Sequence, residues 1–126
     1  ICCLRPGVEG VSDNIFVSAI VGRFLEHARI YYFHNSGKEE VYLGSADLMP
    51  RNLDRRVEVL FPVENPIIRD AIVNTILPAQ LHDTVKLRFM QADGTYCRTR
   101  PAPDTKPLNV QTWMVEHRGS WYDRAR

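Results

Sequence analysis

The sequence predicts an α/β protein with a mixed sheet and flanking helices. Three observations carry that prediction. Runs rich in β-branched and aromatic residues recur along the first half, as in Ile30-Tyr31-Tyr32-Phe33 and Val57–Phe61. Asn65-Pro66 opens a segment with apolar residues at helical spacing. Asp93-Gly94 lies between two further strand-like runs and marks a hairpin.

In chain order, Ile1–Leu4 reads as a strand, broken by Arg5-Pro6-Gly7. Val8–Asn14 is a loop of Gly, Ser, Asp and Asn. Ile15–Ile20 is a strand, and Val21–Glu26 is either its continuation or a helical turn. Arg29–Phe33 and Glu40–Leu43 form a hairpin around Asn35-Ser36-Gly37-Lys38, because Asn and Gly tolerate positive φ. Gly44–Asn52 is a loop with one helical turn, kept short by Pro50. In Arg55–Phe61, Val57, Val59 and Phe61 alternate with Arg56, Glu58 and Leu60, as expected of a strand with at least one buried face. Ile68, Ile72, Thr75 and Ile76 share a helical stripe, so a helix should run from Asn65 to about Leu77 and stop at Pro78. Val85–Met90 and Thr95–Arg98 make the second hairpin. Arg100–Pro107 is a proline-bearing linker, Val110–His117 a short helix, and the last residues a frayed tail holding Trp121. Trp113 reads as a packing anchor.

Composition bounds the function. The chain has 126 residues, 44% of them hydrophobic and 25% charged, which suits one folded domain or a piece of one. A net charge of +1 excludes a histone-like polyanion binder but not a local basic site. No apolar run approaches the roughly 20 residues of a transmembrane helix, and no Lys/Arg-led apolar leader is visible. The opening Ile1-Cys2-Cys3-Leu4 resembles the middle of a buried strand, suggesting a piece of a longer protein. Cys2, Cys3 and Cys97 have no C-x-x-C spacing, so buried reduced thiols are expected rather than a disulfide or zinc site.

Chemistry concentrates between His27 and Glu58. His27 and Arg29 stand two apart beside a strand and should share a face. Gly44-Ser45 ends the next strand with backbone N–H groups and a hydroxyl. Arg51, Arg55 and Arg56 follow, and guanidinium groups suit bidentate capture of phosphoryl oxygens. Imidazole beside cations can exchange a proton with a phosphoryl oxygen near neutral pH. These residue types describe a phosphate site centred on a histidine. A solvated arginine face paired to Asp47, Asp54 or Glu58, around a structural histidine, is the competing reading. Asn52 and Asp54 can instead cap or tie the loop. His34 reads as a solvated turn residue, His82 as a partner of a helix C-terminus and His117 as part of a polar helix end. Lys86, Arg88, Arg98 and Arg100 either extend a basic path for a long polyanion or edge a hairpin with charge.

The spacing resembles the second half-motif of the phospholipase D superfamily, H-x-K followed by a strand, a hairpin and G-S-x-N. Arg29 holds the Lys place and Asp47 the final Asn place. The run Phe24-Leu25-Glu26-His27-x-Arg29-Ile30-Tyr31-Tyr32-Phe33, with Gly44–Val59, resembles bacterial polyphosphate kinases of the first type. Ile1–Gly7, Ser12–Ile15 and Leu81–Trp113 extend the resemblance over nearly the whole chain.

The resemblance implies a phospholipase D-like half, with residues 1–126 forming the C-terminal catalytic domain, truncated on its N-terminal side. It implies part of an enzyme that reversibly transfers the terminal phosphate of ATP to polyphosphate. The phosphorylated histidine would lie outside this chain, in an H-x-G-T-G-N-Y-N motif that the sequence lacks, so the piece alone should be inactive. His27 matches the family's second, catalytic histidine. Arg29, Ser45, Arg51 and Arg56 join it as expected ATP or phosphate contacts. Mg2+ is implied for the longer enzyme, with ligands outside this chain and no metal site within it. The expected partners are ATP, ADP, polyphosphate and the rest of a homo-oligomeric, cytoplasmic polypeptide, with or without membrane association; no nucleic acid is implied. A non-catalytic phosphate- or polyphosphate-binding module and a phospholipase D-type phosphodiesterase half-site are the alternatives. The second wants Lys at Arg29 and Asn at Asp47.

Overall fold

A computed structural model describes residues 3–98 and 101–119. Its elements in chain order are β1 (Ser18–Ile20), β2 (Ile30–Phe33), β3 (Glu40–Gly44), α1 (Pro50–Leu53), β4 (Leu60–Pro62), α2 (Pro66–Ala71), a π-helical turn (Ile72–Ile76), α3 (Leu77–Leu81), β5 (Leu87–Met90), β6 (Tyr96–Arg98) and α4 (Val110–Glu116). The α/β class stands. The strands form two three-stranded antiparallel sheets, ordered β1-β5-β6 and β2-β3-β4, where the sequence suggests one mixed sheet. The chain divides into two compact units, Ile1–Phe24 with Leu77–Arg118, and Leu25–Ile76 with Gly119–Arg126.

The unit built on Leu25–Ile76 holds the β2–β3 hairpin. Its turn takes positive φ at Asn35, Ser36 and Gly37, so Ser36 joins the two residues expected to tolerate that region. Val41, Val63, Ala71 and Ile72 are its buried apolar residues. Asn65 caps α2: its Oδ1 accepts from the N–H groups of Ile67 (2.9 Å) and Ile68 (3.2 Å), with Pro66 at the first helical position.

The other unit is held by buried polar groups. Asp83 is 1% exposed. Its Oδ1 accepts from the N–H groups of Val85 (2.8 Å), Lys86 (2.5 Å) and Leu87 (3.2 Å), and its Oδ2 from that of Val110 (2.8 Å). One carboxylate thereby joins the start of β5 to the start of α4. Gln111, also buried, accepts from Phe24 N–H (2.9 Å) and donates to Phe24 C=O (2.8 Å). That pair gives Val21–Phe24 an anchored irregular path, neither strand nor helical turn.

Several expectations need correction. Cys3 and Leu4 are not in a strand; Ile1 and Cys2 lie outside the described residues, as does Trp121. Arg55–Val59 is not a strand: only Leu60–Pro62 pairs with β3, and Val57 is fully exposed. Alternation records a preference, which becomes a strand only where a neighbour supplies a ladder. Pro78 does not end the helical run, which continues to Leu81. The π-turn just before it widens the backbone, easing the clash a proline ring makes one turn back. The end falls instead at His82, whose N–H and Nδ1 both lie within hydrogen-bond distance of Pro78 C=O (2.9 and 2.8 Å). Cys3 and Cys97 are free but exposed, not buried.

Candidate functional site

The residues that carry the phosphate chemistry lie in the unit built on Leu25–Ile76. The β2–β3 ladder pairs Ile30 with Leu43, and Gly44 N–H donates to Arg29 C=O (3.0 Å), one step beyond. Arg29 is thereby set beside the Gly-Ser turn. On the other side Ser45 N–H donates to Val59 C=O (3.0 Å). Gly44 sits between these neighbours without room to spare. A Cβ there would stand 3.2 Å from Leu60 Cδ1 and 3.3 Å from Tyr31 Cε2.

Asp47 is the hub. Its Oδ1 accepts a charged hydrogen bond from Arg29 Nη2. That bond is the main cause that holds the Asp47 carboxyl below its ordinary range; desolvation opposes it, and the charges of Arg29, His27 and Arg51 add smaller effects in the lowering direction. Arg29 thus pairs directly with Asp47, and the charges of His27 and Arg51 act on the same carboxylate. Arg29 is largely buried, with its side chain 14% exposed, and Asp47 is 46% exposed, so the guanidinium is held from the solvent side.

The loop carrying Asp47 is pinned from beneath. Asn52, 2% exposed in α1, donates from Nδ2 to Asp47 C=O (3.2 Å), while its Oδ1 is buried without a partner. Ser45 Oγ donates to Glu58 (2.5 Å) and accepts from Val59 N–H (3.0 Å), so its hydroxyl is turned into its own loop. Arg51, Arg55 and Arg56 are exposed, and Arg56 N–H donates to Asn52 C=O (3.3 Å). The structure thus pairs Arg29 with Asp47, ties Ser45 to Glu58, leaves His27 and Arg51 exposed, and places Arg56 on the exit from α1.

The sequence offers Asp47, Asp54 or Glu58 as partners of the arginines and Asn52 or Asp54 as ties of the loop; Asp47 pairs with Arg29, and Asn52 ties the loop through Asp47 C=O. One signal for Asp47 was present: Arg at the Lys place and Asp at the Asn place form a complementary pair. The loop-tying role expected of Asn52 is met, and only its burial goes beyond what the sequence indicates.

An open hollow of about 670 Å³ lies on the same unit, lined by Tyr31, Tyr32, Phe33, His34, Tyr42 and Leu60 among others. It contains none of the candidate phosphate residues. Tyr32 and Tyr42 donate to Glu39 (2.6 Å) and Glu40 (3.1 Å), which raises both phenol pKa values. Among the described residues no three His, Cys, Asp or Glu side chains gather into a metal cage, and no helix is long and apolar enough to cross a membrane.

Residues 1–111 match the family described as polyphosphate kinase C-terminal domain 2. The chain belongs to this family. It is 56% identical over 111 residues to a polyphosphate kinase of Synechocystis, covering 88% of this chain and 15% of that protein. It is 50% identical over 115 residues to a polyphosphate kinase of Pseudomonas aeruginosa, covering 91% and 16%. The crystal structure of polyphosphate kinase from Porphyromonas gingivalis superposes with a TM-score of 0.85 at 38% identity, over 98% of this chain and 19% of that one. The chain therefore spans about 15% of the length of the curated polyphosphate kinases it matches.

Proposed function

We propose that this polyphosphate kinase domain supplies one half of the active site of an ATP:polyphosphate phosphotransferase. The longer polypeptide would carry the histidine that becomes phosphorylated. The observation that carries this reading is the Arg29–Asp47 ion pair beside the Gly44-Ser45 turn, in a chain of this family.

Phosphoryl transfer asks a protein mostly for positioning and for neutralisation of charge on the equatorial oxygens. Arg29 serves positioning. Its ion pair with Asp47 fixes the fork, and a guanidinium has five N–H donors, so others are left for a phosphoryl oxygen. Arg51 and Arg56 are exposed cations that add charge without being locked. His27 is exposed, two residues from Arg29, and an imidazole can donate a proton to, or hydrogen-bond, a phosphoryl oxygen as charge moves between phosphate groups. Ser45 contributes by shaping the turn, since its hydroxyl is engaged by Glu58.

ATP and polyphosphate are the substrates of this reading. Mg2+ would neutralise phosphate charge in the longer enzyme. The described residues of this chain offer phosphates cations rather than a cluster of metal ligands.

The test is His27→Ala in the longer polyphosphate kinase, following Mg-ATP-dependent polyphosphate formation and labelling of the upstream histidine. Chain growth is expected to fall by roughly 10²–10⁴-fold with the fold intact. Near-normal growth would make His27 structural and leave this domain a phosphate-binding module.

A further inference from the structure

The unit containing β1, β5 and β6 carries a second basic cluster, separate in sequence from the His27 site. Arg88 on β5 pairs directly with Arg98 on β6, so the two side chains rise from the same face of the sheet. Lys86 stands two residues before Arg88.

Protective charge on a sheet edge does not account for this arrangement. β6 is an edge strand, so Arg98 by itself fits that role. Arg88, however, sits on the central strand, between Ala19 of β1 and Arg98 of β6. Like charges placed directly opposite each other destabilise a ladder. No ion pair to Lys86, Arg88 or Arg98 forms among the described residues. Arg88 is half-buried, and its Nε is fully buried with no hydrogen-bond partner. A buried guanidinium nitrogen without a partner, on a residue that faces a second arginine across the ladder, is costly in the free protein. An anion lying across the pair would relieve the repulsion.

We propose that Arg88 and Arg98, with Lys86 beside them, form a second anion site that binds linear inorganic polyphosphate. The small side chain of Ala19 flanks Arg88 on the third strand of that face. Guanidinium forks match the closely spaced non-bridging oxygens of successive phosphates. The identity of the polyanion rests on the phosphotransferase reading above; the anion site itself rests on the sheet register.

Arg98→Glu tests the site, because it places an opposite charge across from Arg88. The variant should unfold at a higher temperature than the parent chain, since a cross-strand ion pair replaces a repulsion. It should bind long-chain polyphosphate at least about tenfold more weakly, measured on the full chain at moderate salt. Arg98→Gln should lower the salt dependence of binding by about one unit of slope. Unchanged polyphosphate affinity in Arg98→Glu would overturn the proposal. So would equal affinity of the unmodified chain for a DNA oligonucleotide of matching charge, which would mark an unselective cation patch. These are binding measurements on residues remote in sequence from His27. Failure of the His27→Ala experiment would leave their outcome unaffected, and the reverse holds too.

Discussion

At the scale of single residues, Asp47 organises the phosphate candidates without itself being suited to phosphate. A carboxylate repels phosphoryl oxygens, so its value lies in holding Arg29. The sign of its titration follows from that pairing. Its folded pKa is lowered, so the ion pair's contribution to stability is fully present above the ordinary carboxylate range. That contribution is lost as pH falls through the lowered folded value. Carboxyl NMR should find Asp47 titrating below the ordinary carboxylate range, and Arg29→Gln should move it upward. An unshifted Asp47 in the parent chain would mean that the Arg29 fork is not fixed in solution. Asn52 belongs to the same scale: a single buried amide donates to the carbonyl of the residue that positions the arginine.

At the scale of elements, loops are held by side chains that reach across long sequence distances. Gln111 in α4 bonds both backbone groups of Phe24, so the segment after β1 is fixed from the far end of its unit. Gly22 is part of that clamp. A Cβ there would fall 2.2 Å from Gln111 Oε1. The side-chain end could swing aside only by giving up both bonds to Phe24. Gly22→Ala should therefore destabilise the chain by about 1–3 kcal/mol, read from urea denaturation. An effect within a few tenths of a kcal/mol would show that the clamp contributes little. Asp83 acts similarly, joining β5 to α4 through four backbone N–H groups.

At the scale of the whole molecule, little apolar surface is buried. Val41, Val63, Ala71, Ile72, Leu87 and Val110 are the buried apolar residues among those described. Phe16, Leu25, Leu48 and Val57 are exposed at 85%, 87%, 71% and 101%. A chain of this size has a high ratio of surface to volume, and exposed large apolar groups seek cover. The 126-residue chain should therefore self-associate as concentration rises. Sedimentation velocity over a dilution series would record a rising weight-average coefficient. A constant monomer value across the series would show that these side chains are tolerated in water.

Local chemistry by itself determined much of this protein. Asn65-Pro66 starts a helix, and Asp93-Gly94 turns a hairpin, because their preferred dihedrals and hydrogen bonds are satisfied within a few residues. The same holds for the hairpin around Asn35–Gly37 and for a fingerprint dense enough to point to a family. Tertiary structure alone decided the rest. The Arg55–Phe61 alternation looks like a buried strand, yet only its end finds a partner, since pairing depends on what lies alongside. Pro78 looks like a helix end, yet a π-turn carries the helix past it. Arg88 and Arg98 look like scattered surface charge until β-sheet register sets them face to face. Asp47 looks like one acid among several until its loop is folded against Arg29. For the Arg55–Phe61 run and for Asp47 the deciding partner is distant along the chain, and a pattern read over neighbouring residues does not contain it.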